Sequence, residues 1–228
     1  ARARLMPRIG SMIEHPPGYG HLTGAENMRL LARLLNLETT RIDRALELVR
    51  LTDHRDRLQR TYSLGMKQRL GIAMALAREP ELLILDEPTN GLDPAGIEEI
   101  RELMIHLASG GVTVMISSHL LAEIDRMADV LGVLSQGRLV FQGSREELFE
   151  RSIPDLLVVT PQADAAANLV RGCRRERNGI RVQGCGQEDA ARLIVRLVQA
   201  GIPIHEVRRI QQSLEEVFMD LTGGAEAL

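Results

Sequence analysis

The segment that most restricts how this 228-residue chain can fold is Leu82-Leu83-Ile84-Leu85-Asp86-Glu87-Pro88, four consecutive aliphatic residues ending in two adjacent carboxylates. A strand with one wet face alternates apolar and polar side chains, whereas this run is apolar at every position. It therefore reads as a short strand buried on both faces of a parallel sheet. Open sheets of that kind bind ligands beyond the carboxyl ends of their strands, which is where Asp86 and Glu87 fall. Two neighbouring anions repel each other unless a cation or polarised water lies between them. A magnesium–phosphate site supplies that cation, with Asp86 holding Mg2+ through its hydration shell and Glu87 orienting a water for in-line attack.

The flanking residues extend this strand into a crossover unit. Ile97, Ile100, Leu103, Met104 and Leu107 recur at helical spacing, Gly110-Gly111 ends the helix, and Val112–Ile116 reads as the next buried strand. Strand, helix and strand with short links make a parallel pair. That second strand ends in Ser117-Ser118-His119, which brings an imidazole to the sheet edge where Asp86-Glu87 already stand. Between them, Asn90-Gly91-Leu92-Asp93-Pro94 reads as a turn. Upstream, Tyr62-Ser63-Leu64-Gly65-Met66-Lys67-Gln68-Arg69-Leu70 opens a helix with Ser63 as its N-cap. Gly65 lets an anion approach the first-turn amides, where the helix dipole favours negative charge. Taken alone, this segment reads as an ordinary helix cap before it reads as an anion site.

Residues 8–13 read as a strand and Glu14–Gly20 as a Pro- and Gly-rich loop. Residues 21–78 read as mostly helical. Thr23 and Glu26 have capping-box spacing, Leu30, Leu31, Leu34 and Leu35 form the expected buried stripe of one helix, and Ile42, Ala45, Leu46 and Val49 mark another. Further on, Val130–Leu134 and Arg138–Phe141 read as a hairpin, and Ser144 with Glu147 caps a short helix. A second unit is expected from about residue 151. Its order is strand (156–160), helix (163–171), a hairpin over 173–184 turning at Asn178-Gly179, helix (188–200), strand (204–210) and a capped helix (213–222), which suggests a ferredoxin-like α+β module.

Composition excludes several classes. A net charge of −3 and only five aromatic residues argue against a dedicated nucleic-acid binder. No apolar run approaches the ~20 residues of a membrane span. Cys173 and Cys185 make neither a disulfide framework nor a metal cluster, and burial is the expected role of each. The chain opens at Ala1 without a signal-peptide stretch and reads as a piece of something longer.

These residues together resemble the nucleotide-binding subunits of ATP-binding cassette (ABC) transporters. Tyr62–Met66 is similar to that family's signature loop, Leu82–Glu87 to its Walker B strand with the catalytic glutamate, Gly91-Leu92-Asp93 to its D-loop and His119 to its switch histidine, in family order over roughly residues 8–150. The wording is closest to ATPases of ABC-2-type exporters, including antibiotic and peptide exporters, and Ser213–Thr222 is similar to the end of their accessory domain. The resemblance implies an α/β fold: a partial P-loop NTPase core over residues 1–150, with a helical subdomain at 21–78 and the Walker B part at 79–150, followed by an accessory ferredoxin-like domain at 151–228. It further implies ATP and Mg2+ as cofactors. Glu87 and His119 are the implied catalytic residues, Ser63, Leu64, Gly65, Met66, Asp86 and Asp93 the nucleotide contacts, and Asp86 and Glu14 the metal ligands. The implied partners are a second nucleotide-binding subunit and a membrane-spanning subunit, which place the protein at the inner face of the cell membrane. His15–Tyr19 is the expected docking loop for the membrane subunit, with a rigid surface loop as the alternative.

Three departures accompany the resemblance. Leu64 stands where the family has Gly, and Glu14 where it has Gln. The phosphate-cradling G-x-x-x-x-G-K-[ST] is absent, and the sole lysine, Lys67, is followed by Gln68. The 228 residues alone are therefore expected neither to bind ATP tightly nor to turn it over, and to expose unpaired sheet edges. A soluble ABC ATPase of translation or chromosome maintenance, or a degenerate regulatory cassette, are the competing readings.

Overall fold

The computed structural model describes residues 2–13 and 16–222. Its internal contacts divide the chain into two compact units, residues 1–127 and 128–228. The hairpin and capped helix expected before residue 150 cluster with the second unit.

In the first unit, a short helix α1 (Arg2–Leu5) precedes β1 (Ile9–Ile13). This strand, β2 (Leu82–Asp86) and β3 (Thr113–Ser117) form a parallel sheet in that order, with Ile13, Asp86 and Ser117 in register at its carboxyl end. The crossover from β2 to β3 is α5 (Pro94–Ser109), and α6 (Leu121–Met127) follows β3. The unit also contains the α-helices α2 (Gly24–Leu35), α3 (Thr39–Leu48) and α4 (Leu64–Leu76). α4 buries residues around most of its circumference because it packs against β1, α2, α3 and α5 at once. Leu70, Ile72, Leu83, Leu85, Ile100 and Met104 join in one core.

Three elements bury their residues differently from the expectation. β2 is not buried on both faces: Leu83 and Leu85 enter the core, while Leu82 and Ile84 on the other pleat face are half-buried. β3 is more open still: Thr113, Met115 and Ser117, on the pleat face turned from the core, are exposed, Met115 at 60%. The leucine stripe of α2 also turns. Its capping box forms as expected, Thr23 Oγ1 accepting from the Glu26 amide at 3.1 Å and Glu26 Oε2 accepting from the Thr23 amide at 2.7 Å. The core face, however, is Ala25, Met28 and Ala32, with Leu31 and Leu35 at its margins. A 100° step per residue puts Leu30 and Leu34 on the opposite side, where they are 45% and 79% exposed.

The second unit opens with the hairpin β4 (Val130–Ser135) and β5 (Arg138–Ser144), whose two-residue turn has positive φ at Gln136 and Gly137. The expected capping box of Ser144 and Glu147 starts α7 (Arg145–Arg151). There follow β6 (Asp155–Val159), α8 (Ala163–Leu169), β7 (Cys173–Glu176), β8 (Gly179–Val182), α9 (Gln187–Gln199), β9 (Glu206–Ile210) and α10 (Leu214–Thr222). The sheet order β7-β8-β6-β9, antiparallel throughout, is the ferredoxin-like arrangement that the element order suggested. One turn differs: Glu176 pairs with Gly179, so Arg177-Asn178 make the turn and Gly179 begins β8. Glycine is needed there for close approach, since a Cβ would strike the Val158 carbonyl oxygen.

The fully buried Asp155 is satisfied from three sides. Arg181 Nε donates to Oδ2 at 2.6 Å, and the Gly184 amide and Gln212 Nε2 donate to Oδ1 at 3.0 and 3.3 Å. Arg181 Nη2 also donates to Glu216 Oε2 at 2.9 Å, which ties α10 to the sheet. The Ser213 amide above all, with the Arg181 guanidinium, holds the Glu216 carboxyl below its ordinary range. Both cysteines are free thiols. Cys185 is buried, which pushes its thiol upward, and Cys173 is half-buried. Among the described residues, no helix is long and apolar enough to cross a membrane.

Candidate functional site

The carboxyl ends of β2 and β3 carry the site. Register places Ser117 directly beside Asp86, so both side chains leave the sheet on the same face. The Ser117 hydroxyl donates to Asp86 Oδ1. The Glu87 amide donates in turn to both the carbonyl oxygen of Ser117, at 3.1 Å, and its Oγ, at 3.2 Å. With its amide held on β3, Glu87 adopts a left-handed conformation, φ 48°, that non-glycine residues enter at a cost of about 1–3 kcal/mol. The chain thereby leaves the strand sharply and presents the Glu87 side chain to His119. His119 Nδ1 lies 2.8 Å from Glu87 Oε2. The carboxylate is one quarter exposed and the imidazole 61% exposed, so both remain open to a ligand arriving at the rim.

The expected turn then forms. The Asn90 amide donates to the Glu87 carbonyl at 3.1 Å, and the Leu92 amide to that of Thr89 at 3.2 Å. Asp93 caps α5 through Oδ1, which accepts from the Gly96 amide at 3.0 Å, with Pro94 in the first turn.

Ser63 is the N-cap of α4, its Oγ accepting from the Met66 amide at 3.2 Å. The Lys67 amide takes the Ser63 carbonyl at 3.0 Å, which leaves the amides of Leu64 and Gly65 without an intrahelical acceptor, as at any helix start. The Met66 side chain points into the core. Tyr62 anchors the turn from behind, its buried hydroxyl donating to the His54 carbonyl at 2.7 Å, and burial pushes its phenol above the ordinary value. The Ser63 turn stands against the Asn90–Asp93 turn. A Cβ added at Gly91, where φ is +74°, would lie 3.1 Å from Leu64 Cδ2, and one added at Gly65 would lie 3.8 Å from Leu92 Cδ2. The unusual Leu64 is thus accommodated by a glycine across the contact.

The structure brings Asp86, Glu87 and His119 together at one rim, and Ser63, Leu64, Gly65 and Met66 beside the turn that holds Asp93. Glu14 and His15 lie outside the described residues. The rest of the expected docking loop, Pro16–Tyr19, is held by side chains that sequence reasoning did not single out. Buried Asn27 accepts from the Tyr19 amide at 2.8 Å and donates to the Tyr19 carbonyl at 3.1 Å, and Gln59 Nε2 donates to the Pro17 carbonyl at 3.2 Å. Ser117 was likewise given no role of its own, although its place opposite Asp86 follows from aligning the ends of the two crossover strands. Among the described residues, no three His, Cys, Asp or Glu side chains converge to cage a metal. A magnesium ion held by one carboxylate, water and phosphates needs no such cage, and the hard oxygens of Asp86 suit it.

Similarity to known proteins points to one family. The profile of the ABC transporter family matches residues 2–90. The chain is 39% identical over 225 residues to the ABC transporter ATP-binding protein YhcH of Bacillus subtilis, an alignment covering 97% of this chain and 73% of that protein. It is 38% identical over 228 residues to the bacitracin transport ATP-binding protein BcrA of Enterococcus faecalis, covering 96% of this chain and 74% of that protein. Over 156 residues it is 45% identical to the lantibiotic transport ATP-binding protein SrtF of Streptococcus pyogenes, covering 66% and 68%. The solved structure of CbiO1 from Clostridium perfringens, part of the ABC transporter complex CbiONQ, superposes with a TM-score of 0.60 at 30% identity; the match covers 65% of this chain and 62% of that one. With this rim, this sheet and these relatives, the chain belongs to the family of ABC transporter ATP-binding proteins.

Proposed function

We propose that this chain is the ATP-hydrolysing part of an ABC exporter. The observation that carries the reading is the 2.8 Å contact of His119 Nδ1 with Glu87 Oε2, beside Asp86 at the carboxyl end of β2. In this reading Glu87 polarises the attacking water and His119 donates to the terminal phosphate. Asp86 faces the metal, with Glu14 as a second ligand. Bound Mg2+ supplies neutralisation of the phosphate charge that builds up as the bond to the leaving group breaks. Ser63, Leu64, Gly65, Met66 and Asp93 serve the nucleotide of a second copy across a twofold axis, where the Leu64 and Gly65 amides and the helix dipole favour an anion.

Residues 1–150 form the catalytic part in this reading, and 151–228 an accessory domain. The Pro16–Tyr19 loop receives a membrane-spanning subunit, so the protein works at the inner face of the membrane. The relatives named for bacitracin and lantibiotic transport favour export of peptide antibiotics as the task driven. The sequence contains no G-x-x-x-x-G-K-[ST], so the 228 residues by themselves lack the main electrostatic partners of the β- and γ-phosphates and should turn over little ATP.

Steady-state ATP hydrolysis by the full-length protein and its Glu87→Gln variant tests the assignment. Turnover should fall roughly 10²–10⁴-fold, the usual worth of a general base or its equivalent. A variant that keeps near-normal turnover refutes the role given to Glu87.

A further inference from the structure

The geometry points to Ser117 as the residue that positions the metal-facing carboxylate and the water-polarising glutamate as a single unit. The inference rests on the function proposed above and extends it to a side chain outside the family motifs. Ser117 makes three contacts with the two acidic residues. Its hydroxyl proton goes to Asp86 Oδ1, its Oγ accepts from the Glu87 amide at 3.2 Å, and its carbonyl accepts from the same amide at 3.1 Å.

Each contact has a distinct consequence. The hydroxyl fixes the rotation of the Asp86 carboxylate, committing Oδ1 within the protein and turning Oδ2 into the oxygen available to a metal-bound water. A donor to a carboxylate is a charge-assisted bond and resists rotation better than a neutral one. The two acceptors on the Glu87 amide hold that residue at φ 48°, a conformation that needs support from its surroundings to persist. The Glu87 side chain is thereby brought within reach of His119, two residues beyond Ser117 on the same segment. One serine thus links the ends of β2 and β3, and its hydroxyl is the only part of that link a substitution removes without touching the backbone. The neighbouring Ser118 hydroxyl serves a separate purpose, accepting from the Leu120 amide at 3.0 Å ahead of α6.

The test uses full-length protein with Glu87→Gln, so that ATP is retained, and Mn2+ as a paramagnetic stand-in for Mg2+. Mn2+ affinity in the presence of ATP is read by electron paramagnetic resonance without any turnover. Adding Ser117→Ala should weaken Mn2+ roughly 10-fold or more, the usual cost of removing a group that orients a metal-facing side chain. Ser117→Thr, which keeps the hydroxyl, should restore most of the loss, and Ser118→Ala should leave the affinity unchanged. Equal affinity with and without the Ser117 hydroxyl, no rescue by threonine, or an equal loss in Ser118→Ala overturns this inference alone. Failure of the Glu87→Gln protein to bind Mn2+ with ATP while Ser117 is intact overturns the proposed function and, with it, the inference.

Discussion

Asp86 and Asp155 are both carboxylates of sheet strands, and their surroundings set them to opposite uses. Asp155, in residues 128–228, is fully buried, and a guanidinium, an amide N–H and a side-chain amide occupy both of its oxygens. Such a group is closed, because its charge is compensated inside the protein and no oxygen faces a ligand. Asp86, in residues 1–127, sits at a strand end with a second carboxylate next to it in sequence, and its hydrogen bond comes from the neutral hydroxyl of Ser117. Of the two, Glu87 meets the imidazole of His119, while among the described residues Asp86 takes its hydrogen bond from a neutral donor. An ionised side chain points to a binding site by the compensation its own protein withholds, whereas being hydrogen-bonded describes both aspartates.

This contrast can be broken from either side. His119→Ala removes a rim group and should lower the turnover of full-length protein by about 10²-fold or more while leaving the urea midpoint unchanged; an equal loss of stability would make the rim structural. Arg181→Ala should do the reverse. It leaves Asp155 buried without its cation, which costs about 3–5 kcal/mol in urea unfolding of the full chain and spares the rim. Gly179→Ala drives a methyl group into the Val158 carbonyl and should cost about 1–3 kcal/mol in the same measurement. Thr23→Ala loses the cap of α2 and should cost about 1 kcal/mol.

The smallest effect expected is in the acid response. Because the folded protein holds the Glu216 carboxyl below its ordinary 4.5, the ionised form favours folding. That contribution is complete above the ordinary value and is lost as pH falls from there through the lower, folded one. Glu216→Gln should flatten the acid limb of the stability curve; an unchanged limb would detach Glu216 from the linkage of α10 to β8.

The parts of the fold set by local rules were legible in the sequence. The boxes Thr23/Glu26 and Ser144/Glu147, the hairpin of Val130–Leu134 with Arg138–Phe141 and the crossover from β2 to β3 depend on residues a few positions apart, or on periodicity over a single element. Burial was less legible, because it depends on what packs against an element. Leu30 and Leu34 have helical spacing, yet α2 turns its alanines and Met28 inward, since small residues let helices approach closely. The aliphatic run at Val112–Ile116 looks like a strand enclosed on both faces, but the pleat face of β3 that carries Met115 is left open. At the candidate site, residue types and order singled out Asp86, Glu87 and His119, which the structure brings to one rim. The contributions of Ser117 and Asn27 rest on strand register and loop course, which a linear sequence does not display.

In the proposed function, the rim formed by Asp86, Glu87 and His119 hydrolyses ATP held between two copies. This reading is tested most directly by the mass and nucleotide content of full-length Glu87→Gln protein after incubation with Mg2+ and ATP. Hydrolysis between two copies requires a species of two chains retaining two unhydrolysed ATP molecules, separating when nucleotide and metal are withdrawn. A single chain that retains no ATP, or one that consumes ATP at the unmodified rate, would contradict it.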